Sequence, residues 1–251
     1  MTMIKYVYPE VGRCGLCNML YPWARAVCFA REQGCRVLAP SWTKFNRIGP
    51  WLRHERDKRF YLGQLTNRGY VSGVRKWCVL TCFRQQVKVF SGMLGGFKPI
   101  VNQVAVVREE LERIVHPRIF EQVKSLPERF IGVHIRKGDF ARIGFSLPND
   151  YYVRAIKIAR ERCGESVPIL VFSDADAEEL SYLKVFNDVR IMPSAPALQD
   201  LLSLAKSEIL VATNRSTFSG WAAYLGGMPS LWAKDGEVPS VSIGLSRFEL
   251  V

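Results

Sequence analysis

From Arg129 to Trp232, strand-like and helix-like runs alternate without a break, and that alternation constrains the fold more than any other feature of the chain. The expected order is strand 129–135, helix 149–162, strand 168–172, helix 176–185, strand 189–192, helix 197–206, strand 208–212, helix 217–226 and strand 229–232. Short apolar strands separated by helices lie parallel, because each helix carries the chain back to the edge where the preceding strand began. The product is a doubly wound sheet covered on both faces. Ligands of such sheets collect at the carboxyl ends of the strands, so the residues there are the first candidates for function.

The first half of the sequence follows the same logic more loosely. Ile4 to Tyr8 reads as a strand, Pro9 to Gly15 as a glycine-bearing loop, Asn18 to Gln33 as a helix stopped by Gly34, and Arg36 to Ala39 as the next strand. Together they make one βαβ unit, with a helix N-terminus placed to receive an anion. Val87 to Phe90 is strand-like, and Val101 to Val115 is a helix whose Val104, Val107, Leu111 and Val115 share one face. His116-Pro117 and Leu126-Pro127 punctuate the segment after that helix. A boundary near Ser125 divides the chain into Rossmann-like domains over 1–125 and 126–251.

Composition narrows the partners. A formal charge of +12 favours contact with something anionic: nucleotide phosphates, nucleic acid or a negatively charged membrane face. Lys44 to Arg59 interleaves cations with Trp51, which suits a solvated helical face, nucleic acid or an anionic surface alike. Seven cysteines, an odd number, do not make a secreted disulfide framework and favour a reducing cytoplasm. Cys14-Gly-Leu-Cys17 lacks the second pair that a closed zinc site needs. The first residues carry no leader pattern, and no run reaches the roughly 18 apolar residues of a membrane span. The expectation is a cytoplasmic protein, peripheral at most at the inner face of a membrane.

Three strand ends carry polar clusters. The first is His134-Ile-Arg-Lys-Gly-Asp139, where the two-residue period points His134 and Arg136 to one side and Gly138 lets the backbone turn. The second is Ser173-Asp174-Ala-Asp176, which reads as a cap for the next helix, as a nucleotide contact, or as the Asp-x-Asp pattern that holds a divalent metal. The third is Thr213-Asn-Arg-Ser-Thr-Phe-Ser219, where hydroxyls and backbone N–H groups gather at a helix N-terminus suited to phosphate.

Taken together, these blocks resemble the bacterial α-1,2-fucosyltransferase family and, more distantly, the α-1,6- and protein O-fucosyltransferases. His134-Ile-Arg-Lys-Gly-Asp139 is similar to the family's His-x-Arg-Arg-Gly-Asp block, followed by Tyr151-Tyr152-x-x-Ala155, and Phe172-Ser-Asp174 is similar to Phe-Ser-Asp-Asp. Asn214-Arg-Ser-Thr-Phe-Ser-Gly-Trp-Ala-Ala-Tyr-Leu225 resembles Asn-Ser-Ser-Phe-Ser-Trp-Trp-Ala-Ala-Tyr-Leu, with one residue more before Phe218. Gly12-x-x-Gly15-Leu-Cys-Asn18-Met19 resembles the N-terminal Gly-Gly-Leu-Gly-Asn-Gln-Met loop. Lys137, Cys17, Arg215 and Gly220 depart from these patterns. Lys137 keeps a charge but not the planar fork of arginine.

The resemblance implies an α/β fold of GT-B type, two Rossmann-like domains facing across a cleft, the C-terminal one holding GDP-fucose and the N-terminal one on the acceptor side. It implies that Arg136 contacts the β-phosphate and stabilises the departing diphosphate. His134, Lys137 and Asp174 would line the nucleotide part, and Ser216, Thr217, Phe218 and Ser219 the diphosphate. Gly15 and Asn18 would face the sugar from the first domain. Asp139 is the carboxylate nearest the motif, as a catalytic group or as a local anchor of the Arg136 turn. The expected reaction is inverting transfer of L-fucose from GDP-fucose to a hydroxyl of a glycan acceptor in surface polysaccharide or lipopolysaccharide synthesis, with no metal and no further cofactor. The alternatives are a different GDP-sugar or linkage on the same fold and, more remotely, a basic nucleic-acid-binding protein.

Overall fold

The computed structural model describes residues 3–42, 61, 63–234 and 247–251, apart from the Asp139 side chain. Lys44 to Arg59 lies outside the described residues. The chain divides into two compact units, Met1–Phe120 and Glu121–Val251.

In the first unit, β1 (Tyr6–Glu10) lies between β2 (Arg36–Val37) and β3 (Val87–Ser91), all parallel. Helix α1 (Leu16–Gln33) is apolar nearly all round and buries Leu16, Met19, Leu20, Trp23, Ala26 and Val27. Its ends are closed in two ways. The Leu16 N–H, orphaned in the first turn, donates to the buried Tyr61 hydroxyl at 2.9 Å. At the other end, Gly34 adopts φ +65 and returns its N–H to the Ala30 carbonyl, a left-handed cap that a side chain would strain. Trp23 is fully buried and spends its indole N–H on the Tyr70 hydroxyl at 2.9 Å, so its large apolar area, worth about 2 kcal/mol, is gained without an unpaired donor.

Helix α2 (Gly73–Cys82) buries only Val79. Helix α3 (Val104–Ile114) buries Val107, Leu111 and Ile114, and the residues before it, Lys98–Gln103, form a 3-10 turn instead of the first turn expected from the sequence. Helix α4 (Pro117–Lys124) begins on a proline, whose missing N–H costs nothing there.

The second unit is a six-stranded parallel sheet in the order β6-β5-β4-β7-β8-β9. Its strands are β4 (Ile131–Ile135), β5 (Ile169–Ser173), β6 (Val189–Ile191), β7 (Ile209–Val211), β8 (Ser230–Trp232) and β9 (Phe248–Leu250). Between them run α5 (Gly138–Arg142), α6 (Asn149–Cys163), α7 (Ala197–Ala205) and α8 (Thr217–Gly226). On β4 the two-residue period sends Ile131, Val133 and Ile135 into one core with Tyr151, Tyr152, Ala155, Ile156 and Ala159 of α6. Gly132 and His134 are left for the other face. The Tyr151 hydroxyl stands 2.8 Å from the carbonyls of both Ala212 and Leu231, tying α6 to the ends of β7 and β8.

The helix expected over 176–185 is not formed. The Ser173 hydroxyl donates back to the Ile135 carbonyl at 2.9 Å and accepts the Ala175 N–H at 3.0 Å, so the chain leaves β5 in a tight turn bonded to the neighbouring strand. The Glu179 carboxylate takes the Asp176 N–H at 2.9 Å, half of a capping box without an α-helix behind it. Ser181–Val185 then makes a 3-10 turn. The Ser173 side chain that would have capped a helix is committed to β4 instead.

Candidate active site

All three polar clusters sit at the carboxyl edge of the second unit's sheet, and Thr213, just beyond the end of β7, joins two of them. Its hydroxyl donates to the His134 carbonyl at 2.7 Å and accepts the Arg136 N–H at 3.1 Å, which leaves the Tyr152 hydroxyl, 2.9 Å away, to donate to it. One buried oxygen thus satisfies two groups of the strand end and one of α6. The Thr213 N–H in turn donates to the Ser219 hydroxyl at 3.0 Å.

The Ser219 hydroxyl lies 2.7 Å from His134 Nδ1. That hydroxyl accepts the Thr213 N–H and has one proton and one lone pair left, so it meets Nδ1 as donor or as acceptor according to the ring tautomer. Burial, reinforced by the nearby Arg136 charge, pushes the His134 pKa down to about 3. The imidazole is therefore a neutral N–H donor, stacked on Phe218 with ring centroids 5.0 Å apart.

Arg136 is oriented by Asp174. Its guanidinium Nη1 lies 3.2 Å from Asp174 Oδ2, while Asp174 Oδ1 accepts the Lys137 N–H at 2.8 Å. One carboxylate therefore fixes both the arginine and the turn that carries it. A Cβ at position 138 would stand 2.5 Å from Asp174 Oδ2, so the glycine is what lets the Asp174 carboxylate lie against this turn. Asp174 acts here through Arg136 and not as a helix cap. Lys137 runs the other way: its Nζ donates to Asn149 Oδ1 at 3.0 Å and reaches the Leu147 carbonyl at 3.4 Å, bracing the start of α6.

Ser216 is the N-cap of α8, its hydroxyl accepting the Ser219 N–H at 3.4 Å, with Thr217 as the first helical residue. Asn214 is used differently. Its amide donates to the Ala233 carbonyl at 2.8 Å and its Oδ1 accepts the Ala233 N–H at 3.0 Å, so it zips the loop to the end of β8. Arg215 takes φ +59 and lays its guanidinium 4.1 Å from the Phe145 ring centroid.

Gly15 and Asn18 belong to the first unit. Gly15 precedes the first turn of α1, and Asn18 Oδ1 is buried with no hydrogen-bond partner among the described residues. The Asp139 side chain lies outside the described residues. Among them, no group of three or more His, Cys, Asp or Glu converges as a metal site would.

Sequence reasoning passed over Asp200. It stands in the first turn of α7, and a helix that follows a parallel strand starts at the carboxyl edge, so Asp200 shares the edge of the three clusters. Burial pushes its carboxyl up to about 7. No spacing signals this, because the shift comes from surroundings assembled only by folding. A folded-state pKa above the unfolded value gives stability that is complete below about pH 4 and is lost as pH rises through 7. Thermal melts should therefore show Asp200→Asn gaining on the parent protein at pH 8 and not at pH 4. Equal gains at both would mean that the carboxyl is not buried.

The comparisons with known proteins bear on this site. The model of glycosyl transferase family 11 matches residues 98–233, which include all three clusters. Fucosyltransferase NodZ from Bradyrhizobium superposes with a TM-score of 0.57 at 15% identity, over 91% of this chain and 94% of that one. NodZ α-1,6-fucosyltransferase soaked with GDP-fucose gives 0.57 at 14% identity, over 92% and 96%. POFUT1 in complex with GDP-fucose gives 0.56 at 14% identity, over 99% and 98%. No curated protein sequence matches the chain. Two α/β units with parallel sheets, together with these likenesses, make the fold GT-B type.

Proposed function

Because the chain belongs to glycosyl transferase family 11, we propose that it moves L-fucose from GDP-fucose to a hydroxyl of a glycan acceptor, with inversion and without a metal ion. The observation that carries this reading is Arg136. A guanidinium held by Asp174 at a strand end, on the same sheet edge as the N-terminus of α8, is preorganised for a diphosphate. As the glycosidic bond to fucose breaks, negative charge grows on the β-phosphate. Arg136, the hydroxyls of Ser216 and Thr217 and the Thr217 N–H would meet it without reorganising, while Ser219, its N–H held by Ser216 and its hydroxyl by His134 and Thr213, would order the loop behind them.

His134 would present its neutral imidazole, through Nε2, to the nucleotide, backed by the Phe218 ring. Asp139, on the turn after β4, is the proposed second catalytic group. Lys137 contributes to the donor site through the position of α6 and charge at a distance. Gly15 and Asn18 are assigned to the sugar, with the unpaired Asn18 Oδ1 as acceptor for a fucose hydroxyl. The second unit is accordingly the donor-binding domain and the first the acceptor side. The acceptor is a surface-glycan precursor met at the cytoplasmic face of an anionic membrane.

Calorimetric titration with GDP, GMP and UDP tests the donor assignment. GDP should bind tightest, and neither its binding nor turnover should change in excess EDTA. Absence of GDP binding at millimolar concentration would overturn the assignment. Turnover lost on chelation and restored by Mn²⁺ would make Asp174 and Asp176 metal ligands.

A further inference from the structure

The positive charge of this protein is not where the nucleotide is proposed to bind. Residues 1–120 hold 20 Lys and Arg against 7 Asp and Glu, whereas residues 121–251 hold 15 against 16. The whole excess belongs to the first unit. Within it, residues 63–108 contain Arg68, Arg75, Lys76, Arg84, Lys88, Lys98 and Arg108 and no Asp or Glu. Donor phosphates do not account for that.

Helix α2 lies in the middle of this acid-free stretch. Its inner side packs through Val79, with Leu80, against Leu38 and Val71, and Lys76 lies 4.8 Å from the Tyr8 ring centroid. Its outer side carries Val74 and Trp77, one turn apart and 78% and 65% exposed. Phe83, just past the helix, is 47% exposed. Arg75 flanks the outer pair, and Arg84 follows Phe83. A soluble polyanion would use the cations, and a single-stranded nucleic acid would also stack on the indole, but neither gains from the exposed valine beside it. A bilayer uses both, since aliphatic and indole groups enter the headgroup boundary while cations meet anionic lipid. Among the described residues no helix is long and apolar enough to cross a membrane, so the contact would be interfacial.

We propose that the outer face of α2, led by Val74 and Trp77 and flanked by Arg75 and Arg84, docks the enzyme on anionic phospholipid. This rests on the proposed meeting of enzyme and acceptor at a membrane and names the surface that makes it.

The test is sedimentation of the full chain with vesicles of phosphatidylcholine alone or mixed equally with phosphatidylglycerol. The parent protein should bind the mixed vesicles, release at high salt, and bind the neutral ones weakly. Trp77→Ser should weaken partition about tenfold, and Trp77→Phe should retain most of it. Arg75→Ala with Arg84→Ala should weaken it roughly 30-fold. Because Trp77 is largely exposed, these variants should keep the parent's circular dichroism and GDP affinity. A loss of vesicle binding with GDP affinity intact thus separates docking from the donor assignment. Mixed-vesicle binding indifferent to all three variants would overturn the proposal. So would binding to polyuridylic acid but not to vesicles.

Discussion

Arg136→Ala should lower kcat by on the order of 10² to 10³-fold while changing GDP affinity much less. The asymmetry follows from timing, because the β-phosphate acquires its extra charge only as fucose departs, and a cation fixed beforehand by Asp174 stabilises that moment more than the bound ground state. Arg136→Lys should recover little. An ammonium keeps the charge but cannot bridge a carboxylate and a phosphate with one planar group. Single-turnover rates beside calorimetric GDP affinities make the comparison. A folded Arg136→Ala protein transferring fucose at the parental rate would remove the residue on which the mechanism depends.

Thr213→Val should cost about 3 kcal/mol of stability, the largest effect expected from a change of nearly constant volume. Valine fills the space but leaves the His134 carbonyl without its hydroxyl donor and takes one partner each from the Arg136 N–H and the Tyr152 hydroxyl, at a site that water does not reach. Each such group costs about 1 to 3 kcal/mol, partly relieved by relaxation. In a chain of this size that corresponds to a fall of roughly 10 °C in the melting midpoint. Thr213→Ser keeps the oxygen and should stay close to the parent. A valine variant melting with the parent would mean that the hydroxyl does not bind the strand end together.

The alternation of apolar runs made the second unit's sheet legible from sequence, because a fully buried parallel strand such as Ile169-Leu-Val-Phe leaves little choice. The helix expected after Ser173 failed for a reason that lies 38 residues away, at the Ile135 carbonyl. Asp174 was a candidate from its motif, but its pairing with Arg136 was not legible, since nothing in either segment encodes the other. Lys137 was marked by its motif, but its bond to Asn149, 12 residues on, could not be read from it. Helix α2 has no apolar stripe to read, because its valines and tryptophan are distributed around it and only Val79 finds a core.

The left-handed residue between β7 and α8 has a consequence for how the loop tolerates its length. Compared with the block it resembles, this chain carries one residue more before Phe218. A loop gains a residue cheaply when the surplus folds into a kink that returns the chain to its former path. Arg215, at φ +59, has the geometry of such a kink, and its guanidinium on Phe145 offsets the steric cost of a left-handed non-glycine residue. On one side Asn214 remains zipped to Ala233, and on the other Ser219 still reaches Thr213 and His134. The turn into α8 is thereby made by a single left-handed backbone angle, with bonded groups on both sides of it, and the hydroxyl chain that orders the strand end does not depend on the Arg215 side chain.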